Sequence, residues 1–221
     1  MSVLLATRYA DRVEMATDGG VWNYRGDLVG RRDKLRLAPT LPLAVSGVGD
    51  DESIDQICRW VQGATMGDTV DGAISYLERT LPMRPQISSP FHWTIVIAAI
   101  SETHGPCLWK FRSLKESDIS LPALKPHFGE YIAFCPELST DELRSSGWSP
   151  SDFSAGLVAR FDLMRTKIED SLPDFLPGRK MPPGNYVGCH IDHAVVTATG
   201  AVLKRIHEWP DRMGQPIGRT L

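Results

Sequence analysis

Long apolar runs are missing from this 221-residue chain: the maximum is the six residues Ile95-Val96-Ile97-Ala98-Ala99-Ile100. A membrane-spanning helix needs about 20, so the run reads as a buried strand and no membrane partner is expected. A basic surplus is missing too. Lys and Arg number 24 against 27 Asp and Glu, a formal net charge of −3, whereas a protein built to grip a phosphate backbone carries a strong positive excess. No nucleic-acid partner is therefore expected. Cysteine is scarce and scattered: Cys58, Cys107, Cys135 and Cys189 show no paired spacing. They read as reduced, mostly buried thiols of a cytoplasmic protein. No basic stretch followed by an apolar one opens the chain, so no secretory signal is expected. Internal repeats and low-complexity segments are lacking as well. What remains is an ordinary globular mixture, 42% hydrophobic and 23% charged. It suits one domain over 1–208 with a loose or partner-dependent tail at 209–221.

The hydrophobic period changes along the chain. Residues 3–9 and 13–18 flank the polar break Ala10-Asp11-Arg12, a hairpin pattern, and 33–38 and 41–46 continue as strands. Ile54, Ile57, Cys58 and Val61 then recur at helical spacing, as do Val70, Ile74, Leu77 and Leu81, predicting helices near 50–64 and 68–81. Strands return at 93–101, 107–113 and 130–135. Two further helices are expected, the second starting at Ser149-Pro150-Ser151-Asp152 and carrying Leu157, Phe161, Met164 and Ile168 on one face. A Pro/Gly-rich loop over 173–185 leads to a closing hairpin, 187–198 with 201–208. Two helix pairs each need a sheet face. The economical fold is α+β, a four-layer α-β-β-α sandwich of two antiparallel sheets flanked by helices.

Three residue types stand at equal intervals near the start. Ser2 is followed after sixteen positions by Asp18, and Asp18 after sixteen by Lys34. Their surroundings are "MATDGG", "GRRDKLRL" and, before the first helix, "LAVSGVGDD" with Gly47. This pattern resembles the proteasome β-type subunits and their bacterial homologues, which are N-terminal-nucleophile hydrolases. The match is dense over about the first sixty residues and architectural beyond them. The resemblance implies that loss of Met1 exposes Ser2 as nucleophile, that Asp18 and Lys34 complete the catalytic set, and that the Gly47 N–H holds the oxyanion. It also implies a substrate pocket near Trp22 and Tyr24, peptide or other amide substrates, and no metal or cofactor. For partners it implies a homo-oligomeric ring or spiral served by a separate ATPase or unfoldase. A catalytically inactive subunit of the same fold and a non-peptide amidase are the other readings.

The chemistry is coherent on its own terms. A serine hydroxyl is a weak nucleophile near neutral pH unless a base lies within hydrogen-bond reach. A free α-amine, with an ordinary pKa of about 7.7–8.0, can be that base. An adjacent lysine lowers the pKa of both groups. Relative to the family, the loop from Lys34 to Gly47 is one residue shorter. The accessory aspartate and serine expected before the last hairpin fall on glycine and valine in Gly184-Asn185-Tyr186-Val187-Gly188, with Asn185 a partial substitute. Cys189, His190, Asp192 and His193 have metal-ligand types, but on a strand His190 and Asp192 face opposite to Cys189 and His193. No metal site is expected there.

Overall fold

The computed structural model describes residues 3–64, 68–83, 93–112, 125–127, 130–168 and 182–217. Its first hairpin pairs β1 (Leu4–Arg8) with β2 (Arg12–Asp18). Both strands join an antiparallel sheet of order β10-β1-β2-β11-β12, completed by β10 (Tyr131–Phe134), β11 (His190–Thr197) and β12 (Gly200–Glu208). A second antiparallel sheet has the order β5-β6-β7-β8-β9. Its strands are β5 (Arg36–Leu37), β6 (Leu43–Gly49), β7 (Trp93–Ser101), β8 (Gly105–Arg112) and β9 (Lys125–His127). Between β2 and β5 the chain forms a small hairpin of β3 (Gly20–Trp22) and β4 (Leu28–Arg31).

The strand alternation sorts most of the buried apolar side chains into three large clusters. Leu43, Val45, Ile95 and Ile97 pack on Ile57, Cys58 and Val61 of α1 (Asp51–Ala64) and on Ile74 and Leu77 of α2 (Val70–Thr80). Leu4, Ala6, Val13 and Met15 meet Ala44, Val96, Ala98 and Leu108, so this cluster takes residues from both five-stranded sheets. Val3, Leu5, Ala16 and Ile191 pack on Leu157, Phe161 and Met164 of α4 (Leu157–Thr166). The fold is α+β with antiparallel sheets and few helices.

Several expectations need correction. The strand expected over 33–38 is regular only at Arg36–Leu37. The helix expected to start at 149–152 starts eight residues later than Ser149, at Leu157. Asp152 explains the delay. Its carboxylate accepts from Ser154 N, Ser154 Oγ and Ala155 N, which favours a turn over a helical first turn. Gly156 then takes φ 62°, and α3 (Thr140–Ser145) before it is opened by a Ser139/Glu142 capping box. Ile168 lies beyond α4 and is 66% exposed, so it leaves the apolar stripe. The loop expected over 173–185 lies partly outside the described residues.

Residues 209–217 are not loose. Trp209 and Ile217 are buried, Trp209 Nε1 donates to Asp162, and Gly214 N donates to the Leu28 carbonyl while Leu28 N donates to the Gln215 carbonyl. Along β11 and β12, the register partners Asp192 and Arg205 form an ion pair at 2.9 Å with Asp192 buried. Burial alone would raise the Asp192 pKa, but hydrogen bonding by His190 and Arg205 outweighs it and holds the carboxyl below 3.8.

Two predictions follow from this packing. At Gly156 an added Cβ would sit 2.0 Å from the Ser146 carbonyl oxygen, whereas at exposed Gly63 in α1 it meets nothing within 4 Å. Gly156→Ala should therefore destabilise the protein by about 1–3 kcal/mol, and Gly63→Ala should stabilise it by about 0.5 kcal/mol; urea unfolding reads both. A carboxyl with a depressed folded pKa adds stability above its unfolded pKa and loses it as pH falls through the folded value. Arg205→Met should cost about 3 kcal/mol at neutral pH, the low end for a broken buried pair because Arg205 is itself 39% exposed. That cost should shrink below about pH 4, where protonation of the stranded Asp192 relieves it.

Candidate active site

Strand β2 ends at Asp18, whose side chain is fully buried where β2 meets β1 and β11. A buried carboxylate is costly unless its oxygens are hydrogen-bonded. Here Oδ1 accepts from Val3 N at 2.8 Å and from Lys34 Nζ at 3.3 Å. Oδ2 accepts from Gly20 N at 3.1 Å and Gly188 N at 3.3 Å. Asp18 also donates its own N–H to the Val3 carbonyl. One side chain thus fixes the backbone of the residue that follows Ser2 and holds the Lys34 ammonium. Ser2 itself lies outside the described residues.

Lys34 is buried to 9% exposure, and its Nζ lies 5.1 Å from the centre of the Trp22 ring, a cation–π distance. Trp22 in turn meets Tyr186 edge-on at 5.9 Å. Tyr24 is not part of this wall. It is 53% exposed, with its hydroxyl accepting from Arg25.

Gly47 is placed by β6. Leu43 accepts from Ala38 on the β5 side, and Pro42 accepts from Ile100 on the β7 side. Antiparallel alternation then puts the main-chain groups of Leu43, Val45 and Gly47 on the β5 side. Arg36 is in register with Val45, so Lys34, two residues earlier, stands level with Gly47. A side chain cannot be added at Gly47, because a Cβ would lie 2.6 Å from the Thr94 carbonyl oxygen and 2.7 Å from Ile54 Cδ1. Four residues on, Asp51 opens α1 and pairs with Arg32 at 3.0 Å. Burial pushes the Asp51 carboxyl up, against the pull of Arg32 and Lys34. Beside this pair a cleft of about 530 Å³ is lined by both charges, including Arg32, Arg36, Arg59, Glu52 and Asp55.

The stretch before β11 contributes backbone rather than side chains. Among the described residues the buried Asn185 Oδ1 has no hydrogen-bond partner. The contact with Asp18 comes from the Gly188 N–H. Sequence reasoning missed this amide, and it missed Asp211, which receives Cys189 N at 2.7 Å and a two-bond grip from Arg165 at 2.8 and 2.9 Å. Burial raises the Asp211 pKa, but Arg165 and the Cys189 N–H outweigh it and hold the carboxyl below 3.8. The repeated glycines at 184 and 188 were the available signal for a backbone donor, and nothing nearby in sequence pointed to Asp211.

Asp33, His190 and Asp192 bring ligand atoms within 4.8 Å of one another. The Arg205 guanidinium occupies their midst, with Nη2 3.1 Å from His190 Nε2 and Nε donating to Asp192 at 2.9 Å. A cation would have to expel that permanent positive charge. His193 faces the other way and pairs with Glu14 at 2.9 Å, and Cys189 packs with Leu28 and Ile217.

No protein-family model matches this chain, and no curated protein sequence does. Among solved structures the chain is similar to a Gly-1 mutant of Anbu from Hyphomicrobium sp. strain MC1. The match has 11% sequence identity and a TM-score of 0.65, and it covers 96% of this chain and 89% of that one. Identity that low speaks for the fold alone. The chain has a proteasome-like fold.

Proposed function

We propose that this chain is a proteasome-like N-terminal serine hydrolase that cleaves peptide or other amide bonds through an acyl-enzyme. The observation that carries the reading is the double duty of Asp18, which holds both the Val3 amide and the Lys34 ammonium. That arrangement ties Val3, at the start of the first hairpin, into the same hydrogen-bond network as a buried cation.

In this reading Met1 is removed and Ser2 presents both hydroxyl and α-amine. The amine takes the hydroxyl proton, directly or through a water, as oxygen attacks the substrate carbonyl. Lys34 lowers the pKa of both groups by its charge, and Asp18 keeps Lys34 in place. The tetrahedral oxyanion is stabilised by the Gly47 N–H, an effect worth about 3–4 kcal/mol in related chemistry. Collapse expels the amine leaving group, which takes the proton from the α-amine, and water then releases the acyl group by the reverse roles. The cleft lined by Arg32, Arg36, Arg59, Glu52 and Asp55 is the place for substrate side chains, and Trp22, against Lys34, flanks the nucleophile.

The three apolar clusters support a four-layer α-β-β-α arrangement in one domain, with 209–217 as its closing segment. We further propose a cytoplasmic homo-oligomer, a ring or spiral with Ser2 facing inward, fed by a separate unfoldase or open only to short substrates. Among the described residues no helix is long and apolar enough to cross a membrane. One observation favours the inactive-subunit reading as second: residues 184–188 carry no carboxylate, and what they give Asp18 is the Gly188 N–H.

Intact mass of protein purified from its native cell should show loss of Met1; full retention contradicts the enzyme reading. Against a fluorogenic peptide and amide panel, Ser2→Ala and Lys34→Ala should each lower turnover at least about 10³-fold. Turnover by Ser2→Ala equal to wild type would assign the activity to a contaminant. Light scattering at micromolar concentration should give a mass well above two chains, and a value near 24.5 kDa would exclude the ring.

A further inference from the structure

Two consecutive amides in the turn before β11 donate to two different carboxylates. Gly188 N–H goes to Asp18 at 3.3 Å, and Cys189 N–H goes to Asp211 at 2.7 Å. For both to be met, the chain must reverse sharply between them. It does so by a three-residue turn in which His190 N donates to the Gly188 carbonyl at 3.0 Å. Cys189 sits at φ 69°, the one non-glycine residue with positive φ among the described residues. A γ-turn of this hand is rare and strained, and a non-glycine residue holds it only when its surroundings force it to.

The surroundings that force it come from the C-terminal segment. Arg165 of α4 grips Asp211 with two bonds and also donates to the Val187 carbonyl at 2.8 Å, so Asp211 cannot follow the turn if the turn relaxes. Trp209 N donates to the Cys189 carbonyl at 2.9 Å, and the Arg165 guanidinium lies 4.4 Å from the Trp209 ring centre. Ile217 closes over the turn. A Cβ on Gly188 would lie 2.2 Å from Ile217 Cδ1 and 2.8 Å from Asp211 Oδ2, so the segment rests directly on that α-carbon. Beyond Asp211 the same segment ties to β4, through Arg31 NH2 to the Asp211 carbonyl and the paired bonds of Leu28 with Gly214 and Gln215. β4 pairs with β3, which carries Trp22 against Lys34.

We infer that Asp211, clamped by Arg165, is a positioning residue for the candidate active site: the segment Trp209–Ile217 holds the 188–190 turn strained so that the Gly188 N–H stays aimed at Asp18. The part of this inference that concerns turnover rests on the hydrolase reading, while the part that concerns the Asp18 network does not.

The test compares Asp211→Ala with Asp211→Asn on the full chain, following amide hydrogen exchange at Gly188, Gly20 and Val3 together with turnover. The asparagine carbonyl can still accept from Cys189 N–H, so it should restore much of what alanine loses. Asp211→Ala should speed exchange at Gly188 by at least about tenfold and lower kcat by about 10²-fold at little change in KM, as a small misplacement of a catalytic group does. Exchange in the strands β6 and β7 should stay near wild type. Should Asp211→Ala not fold, Ile217→Ala, which loosens the segment without stranding a charge, should raise Gly188 exchange in the same way. Gly188 exchange at the wild-type rate in the folded variants overturns the inference. Faster Gly188 exchange in a protein that shows no turnover even as wild type upholds it and defeats the hydrolase reading instead.

Discussion

Everything near the N-terminus depends on how one fully buried carboxylate is satisfied. Asp18 takes two backbone donors from its own neighbourhood, Val3 and Gly20, one from the far end of the chain, Gly188, and the Lys34 ammonium. Losing any one of them leaves a desolvated oxygen short of a partner, and the penalty for that exceeds the modest net gain of an ordinary hydrogen bond. The interaction therefore acts as a constraint on four chain segments at once. It sets where β1 begins, where β3 departs, where Lys34 points and where the turn into β11 must pass.

The surrounding architecture reads as the means of meeting that constraint. β1, β2 and β11 are neighbours in one sheet, which brings Val3, Asp18 and Gly188 together. β6 belongs to the other sheet, and its alternation turns the Gly47 main chain toward the level of Lys34. The apolar cluster shared by the two sheets fixes their relative position. Opposite charge is then managed locally: Arg32 with Asp51, Arg36 and Arg59 with Asp55, and Arg205 with Asp192.

Much of this was legible in the sequence, for physical reasons. The period-2 and period-3.6 patterns located β1, β2, β7, α1 and α2, because their apolar faces are buried and nothing local competes with them. Asp18 and Lys34 were singled out by the resemblance their spacing carries, and they form a pair at 3.3 Å. What could not be read was set by contacts distant in sequence or by competing local bonds. The late start of α4 comes from Asp152 turning back on Ser154 and Ala155. The small hairpin Gly20–Trp22 with Leu28–Arg31 is too short to show a period. The backbone donor Gly188 has no side chain to announce it, and the docking of 209–217 depends on Arg165, 46 residues from Asp211, and on Leu28, 186 and 187 residues from Gly214 and Gln215.

The central claim is that Asp18 and Lys34 serve a reactive group at residue 2. The most direct measurement is acylation of the native protein by an activated small-molecule ester or β-lactone, with the adduct mapped by peptide mass spectrometry. The account predicts a single stoichiometric adduct on Ser2 of the chain lacking Met1, formed with Lys34 present and lost in Lys34→Met while circular dichroism stays unchanged. An adduct on another side chain, or equal labelling of Ser2 without Lys34, would contradict it.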